Sequence, residues 1–149
     1  MAFSYNYNQS IGYLTGLASR LLSNMLAMRL QEADIDMTAE QWAAIIVLLN
    51  GGAMTQGQLG EQLHLEKSSV SRLIDGLERR DWIARTRDPK DNRQNLVTPT
   101  PKVLNTAEHC AAIARDILEK AQLGMTADEM LLCRSLLSRI IKNLRELTR

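Results

Sequence analysis

Residues 54–80 read MTQGQLGEQLHLEKSSVSRLIDGLERR, and how this segment is parsed decides the fold. Thr55 precedes Gln58 at the spacing of a capping box. In that motif the Thr hydroxyl accepts from the N3 amide, and the Gln side chain accepts from the N-cap N–H. Met54 and Leu59 take the N′ and N4 positions of a hydrophobic staple. The spacing predicts a short helix from Gln56 to about Leu63. A second helix follows within a few residues, from about Lys67 to Arg80, with Val70, Leu73, Ile74 and Leu77 on one face. The first half of its opposite face is polar: Lys67, Ser68, Ser69, Ser71, Arg72. Gly76 inside this helix costs about 1 kcal/mol relative to Ala, which implies a close packing contact or simple tolerance.

The same grammar recurs on either side. Met37-Thr38-Ala39-Glu40-Gln41-Trp42 and Met125-Thr126-Ala127-Asp128-Glu129-Met130 predict helices starting near 39 and 127. The first of these runs through Ile45 to Leu49 and stops at Gly51-Gly52. Thr100 as N-cap, Pro101 at N1 and Gly124 as a stop bound a further helix between about 100 and 123. From about Gln9 to Gln31 an amphipathic stretch carries Ile11, Leu14, Ala18, Leu21, Met25 and Met28. The last helix repeats the pattern with Met130, Cys133, Leu137, Ile140, Leu144 and Leu147. These stripes are wider than one covering partner needs. They fit an intramolecular core or, the preferred reading, a dimer interface shared by both ends of the chain.

Only Asp81 to Pro99 does not read as helix. Trp82–Arg87 and Gln94–Thr98 have the pattern of two short strands, joined by the turn-forming, charged tip Asp88-Pro89-Lys90-Asp91-Asn92-Arg93. Short helix, tight turn, second helix and basic-tipped hairpin follow the order of a winged helix-turn-helix. The expectation is thus a mainly α chain forming one domain over residues 1–149. A helix-turn-helix (about 55–80) and a two-stranded wing (about 82–99) would lie within a DNA-binding part at about 38–99. Helices at about 9–31 and 101–149 would form a dimerisation region.

Composition bounds the alternatives. The chain has 149 residues, 45% hydrophobic and 23% charged, as expected of a globular domain that needs no staple. No apolar run reaches the ~20 residues of a membrane span, and the N-terminus lacks the pattern of a signal peptide. Two cysteines, Cys110 and Cys133, are too few for a disulfide framework. A reducing cytoplasm is the expected location, with no membrane partner. The net charge of +1 hides an uneven distribution: residues 67–102 hold nine basic and five acidic side chains, and residues 31–66 hold six acidic ones. Clustered basic charge suits a polyanion-binding face, although a solvated surface reads the same.

Chemistry assigns the parts. A recognition helix presents short polar side chains to base edges in the major groove. Ser68, Ser69 and Ser71 can bond bases or phosphates, and Arg72 can grip guanine O6/N7. Lys67 adds charge, and the N–H groups around Thr55 and Gln56 point at a phosphate. Lys90 and Arg93 at the tip are sized to reach a minor groove, where Arg responds to groove width. Arg85 and Arg87 alternate along one strand, so one of them, Arg87 by preference, faces phosphate. Asp88 and Asp91 serve to orient basic side chains. Few aromatics lie in the basic region, which favours duplex over single-stranded DNA.

The segments Ser69-Val70-Ser71-Arg72-Leu73-Ile74, Leu77-Glu78 and Asp88-Pro89-Lys90-Asp91-Asn92-Arg93 resemble the MarR family of bacterial transcriptional regulators. The resemblance runs over nearly the whole chain. The tip is similar to the family's D-x-R-D-x-R wing, with Lys90 where Arg is usual; Asp81 stands where Gly is common, and Pro99 and Val103 also depart from the pattern. The resemblance implies a homodimer on a pseudo-palindromic double-stranded operator, acting as a repressor or other regulator of transcription. It also implies a small phenolic or other anionic aromatic effector, for which Met25, Met28 and Trp42 are candidate pocket residues. Ile11, Leu14, Ala18, Leu137, Ile140 and Leu144 are the candidate dimer contacts.

Other chemistry finds little support. Glu61 and His64 have metal-site spacing but no second pair, so no metal or other cofactor is expected. No phosphate loop, nucleophile elbow or carboxylate pair points to an enzyme. The competing class is a helical interaction module whose basic wing binds an acidic protein. The sequence names neither operator nor effector, and gives no role to Phe3, Tyr5 and Tyr7.

Overall fold

Among the described residues, six helices and three strands follow a 3-10 turn at Tyr7–Gln9: α1 (Ile11–Glu32), α2 (Ala39–Gly51), β1 (Met54–Thr55), α3 (Gln56–Leu63), α4 (Lys67–Arg79), β2 (Ile83–Arg87), β3 (Asn95–Pro99), α5 (Pro101–Ala121) and α6 (Ala127–Leu147). This computed structural model describes Ser4 and residues 6–148; Phe3 and Tyr5 lie outside the described residues. Among the described residues no helix is long and apolar enough to cross a membrane.

All three Thr-headed boxes close. Thr38, Thr55 and Thr126 each accept the N3 backbone N–H at 3.1–3.2 Å, and Gln41, Gln58 and Glu129 return the bond at 2.7–3.0 Å. At the first two, the flanking residues Met37, Trp42, Met54 and Leu59 are all buried. At the third, Met125 is exposed and Met130 half-buried.

The chain forms two compact units, one ending at Ala114 within α5 and one starting at Arg115. In the first, Leu30, Ile45, Leu48, Leu59, Ile74 and Leu77 are fully buried. Two glycines allow its helices to approach. A β-carbon at Gly60 of α3 would lie 3.3 Å from Cγ1 of Val70 in α4, and one at Gly76 of α4 would lie 3.1 Å from Nε2 of Gln41 in α2. Gly76 is thus a close packing contact, and the helix cost it carries is a packing requirement. Cys110 is fully buried, and that burial pushes its thiol up from its ordinary pKa.

The sheet departs from the expected two-stranded wing. Its order is β1-β3-β2, antiparallel throughout, with Met54 opposite Val97 and Arg85 also opposite Val97 on the other side. A two-residue strand has no alternation to read, so β1 was invisible as periodicity. It ties the wing's base to the start of α3. Behind the sheet, Arg80 Nε meets Asp36 Oδ2 at 2.8 Å and Trp82 Nε1 donates to the Asp36 carbonyl at 2.9 Å. Lys102 Nζ sits 3.9 Å from the centre of the Trp82 ring and donates to the Arg80 carbonyl at 2.6 Å. Asp81, with φ +59°, makes the left-handed turn between α4 and β2. Thr100 donates its hydroxyl to the Asp81 carbonyl at 2.6 Å.

The second unit holds the end of α5, a turn at Gly124 (φ +84°) and α6. None of α6's residues is buried in the single chain. Leu137 is 39% and Leu144 56% exposed, with Ile140 and Cys133 half-buried.

Candidate nucleic-acid interface

Helix α4 buries Val70, Leu73, Ile74 and Leu77 and turns its other side outward. Lys67, Ser68 and Arg72 are exposed, and Ser69 and Ser71 half-exposed. The side chains of Lys67 and Arg72 form no hydrogen bond or ion pair among the described residues. The helix start differs from those of α2, α3 and α6, because Glu66 at its N-cap makes no side-chain cap bond. Its Lys67 and Ser68 N–H groups remain available to an external acceptor, while the Ser69 N–H donates to the Glu66 carbonyl at 2.9 Å. In α3, by contrast, Thr55 is committed to its own capping box, with Thr55 and Gln56 half-exposed beside it.

The turn between α3 and α4 relies on His64, left-handed at φ 53° and ψ 43°, as the C-cap of α3. Leu65 N–H then bonds back to the Gly60 carbonyl at 3.0 Å. This tight exit places the polar start of α4 on the surface while Val70 rests on Gly60.

The wing tip is built on its two aspartates. Asp88 Oδ1 accepts the Lys90 N–H at 2.8 Å, so Asp88 shapes the turn and leaves the Lys90 ammonium in solvent. Asp91 accepts from the Arg93 backbone N–H and Nε, both at 3.1 Å, and from Gln94 Nε2 at 3.3 Å. The Arg93 contacts, side chain foremost, hold the Asp91 carboxyl below the usual carboxylate pKa. Arg93 nevertheless has a 90% exposed side chain. Its guanidinium is oriented and still open to a ligand.

Arg85 and Arg87 part ways. Arg87 donates to the Asn92 carbonyl within the wing loop. Arg85 turns to α4, where its Nη2 meets Asp75 Oδ1 at 2.8 Å and its Nη1 pairs with Glu78 Oε2. The Asp75 hydrogen bond is the main reason its pKa is raised further. The share taken by Asp75 depends on the tertiary approach of β2 to α4. An open hollow of about 400 Å³ lies beside this pair, lined by Thr55, Gln56, Gly57, Arg85, Gln94, Asn95 and Val97. Gln94 and Asn95 carry no sequence signal for this site beyond their place at the end of the wing.

The remaining candidates are dispersed. Ile11, Leu14 and Ala18 are exposed on α1, as Leu137 and Leu144 are on α6. Met25 and Met28 are exposed on α1, and Trp42 is buried in α2.

Residues 37–94 match the model of the MarR family. The multiple antibiotic resistance protein MarR of Salmonella typhimurium is 29% identical over 123 residues, 82% of this chain and 81% of that protein. Among solved structures, a cysteine-to-serine variant of E. coli MarR complexed with operator DNA is 24% identical. It superimposes with a TM-score of 0.79 over 92% of this chain and 99% of that one. Bordetella bronchiseptica BpsR, described with the regulation of its DNA binding by 6-hydroxynicotinic acid, is 23% identical, with a TM-score of 0.79 over 93% and 97% of the two chains. Both structures share the winged-helix fold. The core of the fold, the helix-turn-helix with its wing and the match over residues 37–94 agree, and over most of its length the chain is similar to winged-helix transcriptional regulators of the MarR family.

Proposed function

We propose that this chain is a transcriptional regulator of the MarR family, a homodimer that reads a pseudo-palindromic operator through Ser68, Ser69, Ser71 and Arg72, with Lys67, Arg87, Lys90 and Arg93 on the backbone or minor groove. The observation that carries the reading is the row of outward, unpartnered polar and cationic side chains at the uncapped start of α4. Arg93 adds a second open cation at the wing. Gln56 contributes its N–H at the start of α3, whereas the Thr55 N–H expected beside it is held by Gln58 Oε1 at 2.9 Å. The operator complex of E. coli MarR supports duplex DNA as the ligand of such a fold. The dimer reading rests on the exposed apolar stripes of α1 and α6, which a soluble monomer rarely carries at this extent.

Binding would repress transcription, and a small aromatic acid would release it. The BpsR regulator and its 6-hydroxynicotinic acid support that class of effector, and Met25, Met28 and Trp42 are its proposed neighbours. A rise in melting temperature with a panel of aromatic acids would identify it.

Selection from a random duplex pool tests the operator reading. The expected product is an inverted repeat with half-site centres about 10–10.5 bp or a multiple apart. No enrichment, or enrichment of a single half-site, would contradict it.

A further inference from the structure

We propose that Arg85 is a positioning residue for DNA reading, which withdraws the two carboxylates of the recognition helix from Arg72 and from the incoming phosphates. The inference rests on the operator-binding reading and deepens it. Asp75 and Glu78 follow Arg72 on α4, and on an isolated helix Asp75 would find Arg72 at i−3 and Arg79 at i+4. Instead, Asp75 Oδ1 meets Arg85 Nη2 at 2.8 Å, Glu78 pairs with Arg85 Nη1, and Arg72 makes no ion pair or hydrogen bond among the described residues.

One guanidinium from the wing thus occupies both acids. Its base is firm, because Arg85 lies in β2 opposite Val97, a residue buried in the middle strand of the sheet. The Arg85 side chain is only 26% exposed, and its planar fork is held with little freedom left to lose. Arg72 gains an open fork for guanine, and the DNA-facing helix presents two fewer free negative charges in each protomer.

A charge-withdrawal role and a mere strut between wing and helix predict different double mutants. The probe is the duplex selected by the wild-type protein, with a scrambled duplex of equal composition as control. If the wild type does not prefer the selected duplex, the operator reading itself fails, and the inference falls with it. Given that preference, Arg85→Ala should weaken selected-duplex binding on the order of tenfold per dimer, from the two carboxylates freed on each α4. Its preference over the scrambled duplex should also fall.

Adding Asp75→Asn and Glu78→Gln to Arg85→Ala should restore binding to within about twofold of wild type, because the freed charges are gone. Asp75→Asn with Glu78→Gln, Arg85 retained, should bind at least as tightly as wild type. This variant keeps the test decisive should Arg85→Ala fold poorly. A triple variant as weak as Arg85→Ala, or a weakened Asp75→Asn/Glu78→Gln protein, would overturn the proposal in favour of a strut.

Discussion

Arg72 and Arg93 carry the same charge in different settings, and that difference should show in binding. Arg72 stands on a rigid helix with its fork unpaired, while Arg93 lies at a loop tip with Nε and its backbone N–H held by Asp91. A base-reading arginine loses discrimination when truncated; a groove- or phosphate-facing one loses affinity on every duplex. Arg72→Ala should cost about 1–3 kcal/mol per half-site on the selected duplex and little on a scrambled one. Arg93→Ala should weaken both alike and reduce the salt slope by about one for each phosphate left without its cation. Anisotropy titrations of both variants on both duplexes decide the matter. If Arg93→Ala removes the preference and Arg72→Ala keeps it, the two roles are reversed.

The elements whose signals are local were legible in the sequence. Thr38, Thr55 and Thr126 each declare a helix start within four residues, and α2, α3 and α6 begin at Ala39, Gln56 and Ala127. The polar row of α4 was equally plain, since Val70, Leu73, Ile74 and Leu77 leave Lys67, Ser68 and Arg72 outside. What depends on distant partners was not legible. β1 exists because Met54 and Thr55 meet Val97 and Leu96, and the grip of Arg85 on Asp75 needs β2 against α4. The same logic applies to the turn before α4. His64 holds φ 53° there, a conformation that costs a residue with a β-carbon about 1–2 kcal/mol. Glycine avoids that cost and loses part of the gain to its more flexible unfolded chain. His64→Gly should therefore stabilise the chain by about 0.5–1 kcal/mol in urea unfolding with an unchanged m-value. A loss of stability would mean that the imidazole makes a contribution larger than the strain it sits in.

At the scale of the whole molecule, net charge is a poor guide, because +1 conceals nine basic side chains between residues 67 and 102. Two of the five acids in that stretch, Asp75 and Glu78, are occupied by a single cation, Arg85. The remaining cations at the start of α4 and on the wing are therefore more available than the count suggests. A homodimer doubles the set, and the exposed stripes on α1 and α6 supply apolar surface for one. Operator binding by the proposed face would exchange counterions for lysines and arginines, so salt reports on it directly. The measurement is the affinity of the wild-type protein for its selected duplex as salt rises from about 50 to 200 mM. With about 6–10 phosphates neutralised per dimer, affinity should fall roughly 10³- to 10⁵-fold along a straight log–log line. An affinity that barely changes over that range would contradict the account.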